Sequence, residues 1–145
     1  MKPALLLPLL AATSALPQPG LWEMTGAPGQ ATLDGRALGD LPYTPPAAAD
    51  RQCLTRDEAR DPVTLIARQV PEGCTVAART VSAHGVTLTG SCRPQASGLA
   101  RGTFRLVGDW SSTRYGVRFS TSNPSENGVM GFSGRVDARR VGSCS

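Results

Sequence analysis

Four cysteines, Cys53, Cys74, Cys92 and Cys144, separated by 21, 18 and 52 residues, constrain this chain more than any other feature it carries. None belongs to the close C-x-x-C pairs that structural zinc sites and redox motifs need. An even count in an exported chain reads instead as a disulfide framework, and four cysteines allow three pairings. Local pattern separates them. From Cys74 to Cys92 the chain runs C-T-V-A-A-R-T-V-S-A-H-G-V-T-L-T-G-S-C, with β-branched residues on both sides of a Ser82-Ala83-His84-Gly85 turn. A hairpin with Val81 facing Gly85 sets Cys74 opposite Cys92, Val76 opposite Gly90 and Ala78 opposite Leu88, so a cross-strand bridge follows without distortion. Cys53 is then left for Cys144, closing a loop of about 90 residues.

Export is expected from the first residues. Lys2 precedes a short apolar run, Ala4 to Ala12, interrupted by Pro8 and followed by Thr13-Ser14-Ala15. The run is about half the ~20 residues of a spanning helix, and its small-residue end suits signal peptidase. Residues 1–15 are therefore read as a cleaved signal peptide, with cleavage as late as 17 allowed, and 16–145 as one domain of about 130 residues. The expected compartment is the bacterial periplasm or the extracellular space, with no transmembrane segment after cleavage.

The remaining chain holds all fourteen arginines against eleven Asp and Glu, a mild excess of +3. Nucleic-acid binders concentrate basic residues with aromatics for stacking; here there are only seven aromatics, at strand-like positions, and nucleic acid is not an expected partner. Few aromatics together with 16 Gly and 12 Pro imply a thin core that benefits from covalent staples.

Pro19-Gly20-Leu21-Trp22-Glu23 reads as a strand entered from a turn, and Gly26 to Asp50 as irregular chain, with Tyr43-Thr44-Pro45-Pro46 near its end and one weak strand at 31–34. Thr55-Arg56-Asp57-Glu58 has the form of a capping box, and Asp61-Pro62 an N-cap followed by proline at the first helical position. Two short helices are expected near 55–69, the second turning Val63, Leu65 and Ile66 towards a sheet and ending near Gln69. Carboxylates at helix starts are explained by the helix dipole, so Asp57, Glu58 and Asp61 are not read as a catalytic cluster.

Alternation resumes in the last third. A turn at Asp109-Trp110-Ser111-Ser112 puts Phe104 opposite Val117 and Leu106 opposite Tyr115, and a turn at 123–128 puts Phe119 opposite Phe132, so apolar residues share one face. The other face collects Arg105, Arg114, Arg118 and Arg135: a solvated exterior, or a site for an anion or acidic partner. Gly128, Gly131 and Gly134 recur every three residues and mark bulges or a bend, since no helix start follows them as a phosphate loop requires. The expected architecture is mainly β, an antiparallel meander curling into a barrel or half-barrel, with a two-sheet sandwich as the alternative.

Catalytic chemistry is not visible. His84, the only histidine, falls on a hairpin turn, no G-x-S-x-G elbow is present, oxidised cysteines leave no thiol nucleophile, and the carboxylates are scattered. No catalytic, cofactor or metal-binding residues are assigned, and an enzyme is not expected.

In order, the motifs Pro19-Gly20-Leu21-Trp22-Glu23, Gln52-Cys53-Leu54-Thr55, Asp61-Pro62, Cys74 and Cys92 around a hairpin, and Arg140-Val141-Gly142-Ser143-Cys144 resemble the bacterial family labelled domain of unknown function 3617. The resemblance implies a cell-envelope or periplasmic location and no established activity. Two functions remain. In the first, a non-catalytic envelope protein binds a small apolar ligand or a protein partner. Trp22, Tyr115, Phe119 and Phe132 would line its pocket if the curl is open and form its core if it is filled. In the second, the chain is an inhibitor or interaction module for an envelope enzyme such as a lysozyme or protease, presenting Trp110 from a rigid turn. The candidate ligand or partner surface is accordingly Trp22, Trp110, Tyr115, Arg105, Arg118 and Arg135.

Overall fold

Apolar alternation resolves into one open antiparallel sheet with two short helices on one face. The structure, a computed structural model, describes residues 15–41, 51–94 and 98–145. The expected signal segment, up to residue 14, and the Tyr43-Thr44-Pro45-Pro46 stretch lie outside the described residues. In chain order the elements are β1 (Gly20–Leu33), β2 (Arg36–Leu41), β3 (Arg51–Leu54), α1 (Arg56–Arg60), α2 (Pro62–Ala67), β4 (Cys74–Val81), β5 (Gly85–Cys92), β6 (Gly102–Trp110), β7 (Arg114–Ser125) and β8 (Gly128–Gly142). The strands lie in the order β2-β1-β8-β7-β6-β5-β4, and β3 pairs with the start of β1. The sheet is not closed, which fits the half-barrel or the sandwich expectation and not the closed barrel.

The Gly26–Asp50 region differs from its expected irregularity. β1 continues to Leu33, and β2 folds back on it through Asp34-Gly35, both at positive φ (50° and 78°). A two-residue Asp-Gly turn with two positive φ values is the connection that matches strand twist; this D-G signal was present in the sequence and outweighs the region's Gly and Pro content. Pro28 is accommodated because β1 shifts register against β8 between Ala27 and Gln30, where a ladder hydrogen bond is not required of it. Asp34 then ties the turn to β8: its backbone N–H donates to Val129 O at 2.9 Å, and its Oδ1 accepts from Val129 N at 2.9 Å.

The helices form where their caps predicted. Thr55 Oγ1 accepts from Glu58 N, and the Glu58 carboxylate accepts from Thr55 N at 2.9 Å, the reciprocal pairing of a capping box. Asp61 Oδ1 accepts from Thr64 N at 3.1 Å, with Pro62 in the first turn of α2. α2 ends at Ala67 rather than Gln69; tighter turns, Gln69 N to Ile66 O and Val70 N to Ala67 O, replace its last bonds before Pro71.

Both disulfides pair as expected, Cys53–Cys144 across 91 residues and Cys74–Cys92 across 18. Cys74 faces Cys92 and Val76 faces Gly90, but a register shift between Val76 and Ala78 moves Ala78 from Leu88 to Thr89 and closes the hairpin at Val81 and Val86. The two later hairpins also slip. Phe104 pairs with Thr121 and Leu106 with Phe119, because the turn lies at Ser111–Arg114; Phe119 faces Gly134, and Phe132 faces Thr121. Both slips are even in residue count, so the apolar residues stay on one face.

Candidate functional site

The concave face of the sheet has two halves. In the first, α2 lies over β5 and β6 with α1 packed beside it, and Ile66, fully buried, sits where Gly108 has no side chain; a Cβ there would collide with its Cγ1, Cγ2 and Cδ1 atoms. Leu54, Ala59, Leu65, Val86, Leu88, Leu106, Val117 and Ala138 complete this core. Trp22 and Tyr115 meet in it with ring centroids 5.3 Å apart, and Trp22 Nε1 donates to Gln18 O at 3.0 Å. Burial, and then the Glu58 charge, raise the Tyr115 hydroxyl above its ordinary pKa.

This arrangement corrects three candidate surface residues. Trp22, Tyr115 and Trp110 are 1%, 4% and 6% exposed and present nothing to a partner. Trp110 was expected on a turn. Its N–H instead donates to His84 O at 2.9 Å, which carries β6 past that point and turns the ring inward. The inhibitor reading loses its anchor. His84 itself lies exposed at the β4–β5 turn.

In the second half no helix among the described residues covers the sheet. Here Phe119 and Phe132, both half-buried, line a cavity of about 250 Å³ with Pro71, Leu99, Thr121, Asn123 and the Cys74–Cys92 disulfide. Phe119 reaches this position because its ring crosses to Gly134, where any Cβ would meet it. The lining is mostly apolar. The Thr121 hydroxyl is shielded from solvent and has no hydrogen-bond partner among the described residues. Of these residues the sequence pointed to the two phenylalanines. Leu99, held by an isolated bridge to Ser125, and Thr121 were missed: the first lies in a stretch that reads as loop, and the second on a strand whose partner depends on the slipped register.

The convex face carries the arginines as expected. Successive cross-strand rows read Arg114, Arg139, Glu23, Arg51; then Gly116, Asp137, Thr25; then Val107, Arg118, Arg135, Ala27; then Arg105, Ser120, Ser133, Gln30. Arg139 bonds Glu23 at 2.9 Å, and Arg51 lies 3.6 Å from the same carboxylate. Arg139, and after it Arg51, hold the Glu23 carboxyl below its ordinary pKa. Arg135 donates two hydrogen bonds to Asp137, at 2.6 and 2.7 Å. Arg105 and Arg118 have no ion-pair partner among the described residues. A shallow trough of about 540 Å³ opens between these three arginines, and no carboxylate lines it.

The extent of the sequence match decides what kind of protein this is: the profile of the family described as Protein of unknown function (DUF3617) covers residues 17–144. The chain belongs to the DUF3617 family. Within this DUF3617 protein both disulfides fall inside the matched region, so the clamp and the cavity belong to the family domain. Membership assigns no activity, and comparison with curated proteins and with solved structures finds no match. Two disulfides point to an oxidising, non-cytoplasmic environment. No helix among the described residues is long and apolar enough to cross a membrane.

Proposed function

We propose that this DUF3617 protein is a non-catalytic protein of the bacterial periplasm or extracellular space that binds a small apolar ligand in the uncovered half of its concave face. The observation that carries this reading is the cavity between Phe119, Phe132 and Leu99, bordered by the Cys74–Cys92 disulfide and by Thr121 and Asn123. Ligand sites combine an apolar lining with a few polar residues, and here Thr121 and Asn123 are the polar members of the lining. Its size sets the ligand class. An apolar cavity of about 150 Å³ accepts benzene, so 250 Å³ suits one substituted ring or a short branched chain rather than a full-length acyl chain.

The test is displacement of a fluorescent apolar dye from the purified, disulfide-bonded protein, with native mass spectrometry of material recovered from the periplasm. Binding is expected in the wild type and lost in Leu99→Trp, which fills the cavity from a loop outside the buried core. A protein that binds no dye and retains no ligand, or a Leu99→Trp variant that binds as well as wild type, defeats the proposal.

A further inference from the structure

We infer that the convex face carries a second, separate site, at which Arg105, Arg118 and Arg135 bind the phosphate group of a small soluble molecule. The site lies across the sheet from the apolar cavity and does not depend on it.

Register supplies the first argument. Arg118 stands directly opposite Arg135 in the β7–β8 ladder, and Arg105 lies beside Arg118 one row further along β6. Like charges directly opposite one another are destabilising in a sheet. Elsewhere on this face the protein relieves the same problem: Arg139, opposite Arg114, is neutralised by Glu23. In the trough that relief is incomplete. Asp137 pairs with Arg135, and Asp109 in the adjoining row also acts on Arg135, whereas Arg105 and Arg118 have no ion pair among the described residues, so the trough keeps a net positive charge. An oxyanion bridging the guanidinium groups completes the pairing that the fold leaves open.

Chemistry supplies the second. All three cations are arginine, whose planar fork matches phosphate oxygens in paired hydrogen bonds as lysine does not. The Asp137 bonds use Nε and one terminal nitrogen of Arg135, which fixes its guanidinium in place with the other terminal nitrogen unengaged. Ser120, Ser133 and Gln30 add neutral donors to the same lining. Volume and surroundings then favour a soluble molecule over a membrane surface. The trough has the size of a small-molecule site. In the adjoining row Asp109 and Asp137 would be pressed against anionic lipid, and among the described residues the one aromatic bordering the trough, Phe119, is half-buried rather than free to enter a bilayer.

Inorganic pyrophosphate is the probe, titrated into the disulfide-bonded protein at ionic strength matched with sodium chloride and followed by amide chemical shifts and by melting temperature. Shifts are expected at β6, β7 and β8, together with a rise in melting temperature. Arg105→Gln and Arg118→Gln should each weaken binding about tenfold, the loss expected for one charge-assisted contact, while Arg56→Gln on α1 leaves it unchanged. Without pyrophosphate, Arg118→Gln should melt about 1–3 °C higher than wild type, because it removes a like-charge pair. The site is refuted if pyrophosphate gives no response beyond that of matched chloride, or if Arg56→Gln weakens binding as much as Arg118→Gln. Binding to phosphatidylglycerol vesicles without binding to pyrophosphate also refutes it, since the surface would then be a membrane contact.

Discussion

The two halves of the concave face are built from the same strands but closed by different means. Over β5 and β6 the sheet is covered by α2, with α1 packed on it, sealed by Ile66 in the notch at Gly108, and fastened by the long Cys53–Cys144 bridge at β3 and the chain end. At the other end Phe119 and Phe132 stay half-buried around a cavity, and only the short Cys74–Cys92 bridge lies nearby. The difference teaches that a sealed part and an open part of one apolar face can be kept apart along the same strands. A thin core can leave part of its apolar face open because the covered part is clamped covalently.

The largest test of that comparison removes the clamps in turn. Replacing both Cys53 and Cys144 by alanine should cost about 4.5 kcal/mol in urea unfolding, and replacing Cys74 and Cys92 about 3, following the lengths of the loops they close. A costlier short bridge would mean that the uncovered half is the better-ordered one. Ile66→Ala should lose about 3 kcal/mol as a fully buried aliphatic truncation. Phe132→Ala should lose about 1 kcal/mol, because its ring is already partly in water, and should enlarge the cavity enough to change dye affinity. Equal losses would break the contrast between the halves.

A smaller effect of opposite sign is expected at Thr121. Thr121→Val keeps the shape and removes a shielded hydroxyl without a partner, so stability should rise by about 1 kcal/mol. Urea unfolding of the variant beside wild type would measure the rise. The smallest effect concerns the helices that cover the first half. Arg68, with Thr55, holds the Glu58 carboxyl at about 2, down from 4.5. The folded value lies below the unfolded one, so this contribution is complete above about pH 4.5 and is lost as pH falls towards about 2. Glu58→Gln should lower stability by about 1 kcal/mol near neutral pH, as loss of a cap does, and flatten the acid limb of melting temperature against pH.

Much of this division was legible residue by residue. The capping box at Thr55 and Glu58 and the Asp61-Pro62 start depend on contacts within four residues, and both formed as their chemistry requires. The hairpin from Cys74 to Cys92 had its cysteine ends in register even though a bulge past Val76 displaced its middle. The cavity was half legible: Phe119 and Phe132 stood out as inward aromatics, but so did Trp22 and Tyr115. All four alternate in the same way, and nothing local says which pair lies under a helix. Trp110 failed for a related reason. The segment from Asp109 to Thr113 lacks a glycine that would pin its turn, so tertiary pairing with β5 placed the turn further along.

By itself, the sequence determined which side of the sheet the residues of β6, β7 and β8 face, which cysteines join, and where the helices begin, because these depend on a two-residue period and on bonds to near neighbours. The tertiary structure alone decided how far each strand slides along the next. Even slips preserve the sides and change every partner. That sliding buried Trp110, set Arg118 against Arg135, seated Ile66 at Gly108, and left Phe119 and Phe132 facing a cavity instead of a core.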